Sequence, residues 1–138
     1  MNPSHPPQIY RLRTPNSPAS PKICRDTVGL LLNATGHHEL TDAASLLVSE
    51  LVTNVGLHTR SLAVRLETVV RLDRVRVSVY DDEPARPAPP PAIDLGAENG
   101  RGLLLIEAMA QSWGVGSAHP HSPNGKHVWF ELRGHGWC

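Results

Sequence analysis

Glu50 and Asn54 stand four residues apart in the run Ser49-Glu50-Leu51-Val52-Thr53-Asn54. If that run is helical, four residues amount to about 400° of rotation and about 6 Å of rise, so the two side chains share a face and His58 continues the row. The pairing suits phosphate chemistry. A carboxamide oxygen is a hard, neutral ligand for Mg²⁺, and a carboxylate can orient or deprotonate a nucleophile. The same pair would also serve as the solvated polar edge of an amphipathic helix. Asp81 ends an alternating segment shortly before Pro84, where a carboxylate can accept a hydrogen bond from an exocyclic amine such as that of adenine, or shape a turn. Gly100-Arg101-Gly102 leads into an apolar run; glycines there let backbone amides approach a phosphate, and a helix N-terminus favours anions. A lone Gly-x-Gly is equally a plain turn, and it matches neither the dinucleotide-binding nor the P-loop pattern.

The elements that must position these residues are set by hydrophobic period and by proline. Six of the 13 prolines lie in residues 1–21, five in 84–91 and two at 120 and 123. Proline lacks a backbone donor and clashes inside helices and central strands, so regular structure falls in 22–83 and 92–119. Residues 1–8 read as a disordered arm, 84–91 as a loop and 120–125 as a turn. Ile9–Arg13 alternates weakly and suits an edge strand. A helix is expected from about Pro18 to Asn33, ended by Asn33 and Gly36. The strongest helix runs from Thr41 to His58, with Thr41 as cap and Ala44, Leu47, Val48, Leu51, Val52 and Val55 at 3–4 spacing. Gly56 disfavours its last turn by about 1 kcal/mol against alanine.

The period then changes to two. Leu62, Val64 and Leu66, then Val75, Val77 and Val79 after an Asp73-Arg74 turn, alternate with polar residues and predict an antiparallel hairpin. A turn from Gly96 to Gly102 opens a third helix through Leu103 to Ala110. Trp113–Val115 starts another strand, and Val128, Phe130 and Leu132 alternate with His127, Trp129 and Glu131 in the last one. Helices interleaved with such strands predict a two-layer α/β sandwich, a mixed but mostly antiparallel sheet with helices on one face, in one domain over 9–133 followed by a short tail, 134–138.

Lys plus Arg and Asp plus Glu are equal at 13 each, which argues against a charge-driven nucleic-acid or membrane-surface binder. A local patch is still allowed: Arg60 to Arg76 holds five arginines against Glu67 and Asp73, a pattern that solvated strand edges also produce. Cys24 and Cys138 are too few for a disulfide scaffold, and no signal-like or membrane-spanning run is visible. A cytoplasmic protein is the expectation. His119, His121 and His127 have no Cys or carboxylate partner at metal-finger spacing, so zinc is not expected.

In order and spacing these segments resemble the GHKL (Bergerat-fold, histidine kinase-like) ATPases, and among them the small actinobacterial anti-sigma-factor serine/threonine kinases. Ser49 to Asn54 with His58 resembles that family's N box. Val79-Tyr80-Asp81 with Pro84 and Pro87 resembles its first glycine box, Gly100 to Ile106 its second, and Gly125-Lys126 through Leu132 its closing strand. The resemblance implies ATP and Mg²⁺ as cofactors. It implies Asn54 as the Mg²⁺ ligand, Glu50 as general base on a protein hydroxyl, and Asp81 on the adenine amine. His58 would belong to the cofactor site, with Gly100, Arg101 and Gly102 at the phosphates. It also places His127 where relatives carry a threonine that completes the adenine site. The implied partners are a STAS-domain anti-anti-sigma protein and a sigma factor, with homodimers known in the family. The chain departs from the pattern at Asp82-Glu83-Pro84, where two acids would repel a polyphosphate if they faced it, at His127, and at Gly56 in the end of the N-box helix. Those departures motivate an alternative: a binding module that sequesters a partner with poor ATP binding or none. Histidine kinases and gyrase-like enzymes would need further domains.

Overall fold

Alternation decides where the sheet turns its back on water. In the computed structural model, which describes residues 6–82, 98–117 and 125–134 (98–103 as backbone only), five strands form one sheet. They are β1 (Gln8–Pro15), β2 (Ala63–Val70), β3 (Arg74–Asp81), β4 (Ser112–Ser117) and β5 (Lys126–Arg133), in spatial order β1-β2-β3-β5-β4. Every neighbouring pair is antiparallel, so the sheet is not mixed among the described strands. One face carries Val64, Leu66, Val70, Val75, Val77, Val79, Phe130 and Leu132, all buried. The other carries arginines, glutamates and aromatic rings.

Three helices cover the apolar face: α1 (Ser20–Ala34), α2 (Thr41–His58) and α3 (Glu98–Met109). α1 buries Cys24, Val28 and Leu32 and leaves Ile23 and Leu30 exposed, so only part of its apolar set serves the core. It starts two residues after Pro18, with Pro21 in its first turn, and ends at Ala34, two residues before Gly36, whose φ is +84°. The His37 N–H reaches back 2.8 Å to the Leu32 carbonyl there, a closure that glycine permits without Cβ strain. A short 3₁₀ turn (His38–Leu40) leads into α2. Thr41 is not the cap: the cap position falls on Leu40, and the Thr41 hydroxyl reaches Asn33 at 3.4 Å.

α2 buries all six apolar residues that the spacing selected and runs through Gly56 to His58. Two strands are longer than expected, β1 by pairing over its whole length with β2, and β4 by pairing six residues with β5. Leu62 does not join the hairpin; it is 88% exposed in the loop before β2. No helix among the described residues is long and apolar enough to cross a membrane. The expected loop at 84–91, the turn residues 120–124, His119 and most of the arm and tail lie outside the described residues.

Candidate functional site

The packing of α2 places Glu50 and Asn54. With Leu47, Val48, Leu51, Val52 and Val55 buried against the sheet, these two lie at the margin of the apolar stripe, half-buried and four residues apart. His58 sits in the last turn and is exposed; the helix ends where Thr59 turns its hydroxyl 2.7 Å and its N–H 3.1 Å from the Val55 carbonyl. The row Glu50, Asn54, His58 therefore exists along one helix.

Asp81 is the last residue of β3 and is only 3% exposed. By alternation it shares the helix-covered face with Val75, Val77 and Val79. Its strand neighbours are Val64 on β2 and Lys126 on β5. Two features hold this strand end. Ser61 donates its hydroxyl to the Ala63 carbonyl at 2.6 Å and accepts the Asp82 N–H at 2.8 Å, tying the loop before β2 to the residue next to Asp81. The loop is held in turn by Asn16, whose side-chain amide donates to the Ser61 carbonyl at 2.9 Å. On the other side Gly125, at φ +109°, passes so close that a Cβ there would stand 2.2 Å from the Asp81 carbonyl oxygen. A lone loop serine carries no signal in sequence; Gly125 was legible as a turn residue and as the start of the closing-strand motif.

His127 does not join this group. It pairs with Tyr80 in the ladder, one residue out of step with Asp81, and so projects from the opposite face of the sheet. There its ring stacks on Tyr80 at 4.7 Å, and its Nδ1 donates to the Ser117 carbonyl at 2.8 Å. The strand alternation that put Val128, Phe130 and Leu132 inward already implied this, and it excludes His127 from an adenine site around Asp81. Asp82 is turned the same way: its carboxylate lies 3.5 Å from the Arg65 guanidinium. The acid expected to repel a polyphosphate is thus paired on the far face. Glu83 lies outside the described residues.

Gly100, Arg101 and Gly102 belong to α3 itself, which begins at Glu98, and not to a turn before it. Gly100 falls within the first turn, whose N–H groups have no intrahelical acceptor. The donor set suits an adenine nucleotide with a divalent cation: a buried carboxylate for an amine, a carboxamide oxygen for the metal, a second carboxylate on the same helix and a helix start for phosphate. Val115, two strands from Asp81 on β4 and on the same face of the sheet, is 57% exposed.

Residues 15–132 match the model of the family described as histidine kinase-like ATPase domain. No curated protein matches the chain.

Proposed function

The chain belongs to the histidine kinase-like ATPase domain family, and from that premise we propose that it is an ATP-binding serine/threonine protein kinase of the anti-sigma type. Its substrate is a STAS-domain anti-anti-sigma protein, and it regulates transcription in the cytoplasm by exchanging that partner with a sigma factor. The observation that carries this reading is Glu50 and Asn54 on one half-buried row of α2, above the sheet face on which β3 ends in the buried Asp81. Bound Mg·ATP supplies the phosphoryl group and the charge neutralisation.

Asp81 accepts the adenine amine, and its burial makes that hydrogen bond selective, because a base with a carbonyl at that place would set two acceptors against each other. Asn54 presents its amide oxygen to the cation without adding negative charge. Glu50, one turn earlier, takes the proton from the attacking serine or threonine hydroxyl. The Gly100 region of α3 offers first-turn amides to the phosphates. His58, exposed at the end of the row, lies where it can border the phosphates. Phosphoryl transfer is mostly positioning and electrostatics, which is what such an arrangement provides. Asp82 and His127 both face away from Asp81, so neither of these two side chains supports the alternative of a nucleotide-free module, which rests on Glu83, outside the described residues.

The test is transfer from labelled ATP with Mg²⁺ to a panel of STAS-domain proteins, with calorimetry of ATP binding alongside. Glu50→Gln is expected to lower transfer about 10²–10⁴-fold while leaving ATP binding intact, and Asp81→Ala to abolish binding. Transfer unchanged in Glu50→Gln sinks the assignment of the base; no ATP binding by the wild-type chain sinks the reading as a whole.

A further inference from the structure

The face of the sheet that no described helix covers gathers an excess of arginines in a chain whose total charge is neutral. Arg11, Arg13, Arg65, Arg74, Arg76 and Arg133 occupy outward positions on β1, β2, β3 and β5, and Arg71 follows β2 at the hairpin. These are seven of the 13 lysines and arginines of the chain. The carboxylates on this face are already taken: Glu67 by Arg11 at 3.0 Å, Glu131 by Arg76 at 3.3 Å and Asp82 by Arg65 at 3.5 Å. Arg13, Arg71, Arg74 and Arg133 make no ion pair among the described residues.

Arg74 and Arg133 stand directly opposite each other across the β3–β5 ladder, a like-charge pairing that destabilises a sheet. The Nε of Arg74 is buried without a hydrogen-bond partner among the described residues. Arg71, Arg74 and Arg76 line a groove of about 430 Å³ together with Tyr80, His127, Trp129 and the ion-paired Glu67 and Glu131. Retained repulsion and an orphaned guanidinium nitrogen beside a groove are features that an anionic occupant would relieve.

We propose that this bare sheet face docks an extended acidic segment of a partner protein. Length argues for a chain over a small anion: Arg13 lies at the Tyr80 end of the face and Arg74 six residues along β3 from Tyr80, roughly 20 Å by strand geometry. Ring geometry argues against single-stranded nucleic acid, which needs open aromatic faces for its bases. The Tyr80 ring stacks on His127 at 4.7 Å and has the Arg65 guanidinium 5.1 Å from its centroid, and the Trp129 ring is covered by Arg76 at 4.0 Å. β4 contributes Gly114 and Gly116 at the positions over which the Trp129 and His127 rings lie, where a Cβ would come within 2.7 and 2.6 Å. The ring faces of Tyr80 and Trp129 are thus already covered by His127, Arg65 and Arg76. A second copy of the same arginine-rich face would be repelled. The proposal is independent of nucleotide binding on the other face.

The experiment titrates the full chain with deca-glutamate at low and at physiological salt, following backbone amide shifts and calorimetric affinity. Binding that weakens with salt and shifts Arg76, Trp129 and Glu131 is expected. Arg74→Gln/Arg133→Gln should weaken it about tenfold, on the scale of losing two or more exposed charge pairs. Arg25→Gln, the same type of charge change on α1, should leave it unchanged. Arg13→Gln, whose side chain has no ion partner to lose, gives the same direction of effect if the double variant misfolds. The proposal is overturned if wild-type chain does not bind deca-glutamate at low salt. It is also overturned if oligothymidylate binds more tightly, if Arg25→Gln weakens binding as much as the groove variants, or if the chain dimerises through this face.

Discussion

Replacing Gly125 by alanine tests how Asp81 is held. At φ +109° an L residue is strained by about 1–3 kcal/mol, and the new Cβ would begin 2.2 Å from the Asp81 carbonyl oxygen. Normal contact requires the two to separate by about 1 Å or more, against a strand end pinned by Ser61 and flanked by β2. Overpacking of that kind adds about 1–3 kcal/mol, so the variant should lose at least about 2 kcal/mol, or roughly 6–10 °C in melting temperature. Gly36→Ala is the internal control: it has a similar positive φ, +84°, but nothing within 4 Å of the added Cβ. It should therefore pay only the backbone cost, about 1–2 kcal/mol. Urea denaturation of both variants gives the difference between them, which reports the contact with Asp81. Calorimetry then asks whether the displaced carboxylate loses ATP affinity, expected for Gly125→Ala and not for Gly36→Ala. Equal destabilisation by the two substitutions, with equal ATP affinity, would refute the reasoning.

Thr68 is fully buried on the apolar face and its hydroxyl has no partner among the described residues, so Thr68→Val should raise stability by about 1 kcal/mol in the same denaturation assay. Asp82→Ala removes an acid that faces Arg65, and calorimetry should find ATP affinity within about twofold of wild type, since exposed pairs contribute little; a tenfold gain would place Asp82 at the phosphates instead. Burial pushes the Cys24 thiol up from the ordinary 9.0 to about 11. Iodoacetamide at neutral pH should leave Cys24 unmodified in the native chain and modify it in urea, as peptide mass spectrometry would show. Because the fold favours the protonated thiol, its stabilising contribution is complete below pH 9 and lost as pH rises towards about 11. Denaturation midpoints of wild type and Cys24→Ala should accordingly converge over that interval.

Much of the architecture was written in period and punctuation. Six apolar residues at helical spacing defined α2 and the side of it that meets the sheet, and alternation in 63–81 and 126–133 defined the strands and their inward residues. The placement of Glu50, Asn54 and Asp81 followed from the same patterns, because each depends on a local rule: four residues per helical face, or every second residue per sheet face. His127 shows what happens when a motif is read without its register. Its neighbours in the strand pattern already assigned it to the outer face, and the ladder with Tyr80 makes that assignment concrete. Thr41 failed as a cap for a local reason as well, since the 3₁₀ turn before it moves the helix start and leaves its hydroxyl facing Asn33.

The sequence by itself determined the elements, the apolar faces and the residue types available for phosphate chemistry, because these depend on contacts a few residues apart. Only the tertiary structure decided what lies beside what. Ser61 reaches Asp82 across 21 positions, Asn16 reaches Ser61 across 45, and Arg74 meets Arg133 across a ladder joined late in the chain. A neutral total charge likewise concealed seven arginines gathered on one face, because strand order β1-β2-β3-β5-β4 stacks their outward positions side by side. Charge separation of this kind is a property of the sheet's pairing, and no count along the chain contains it.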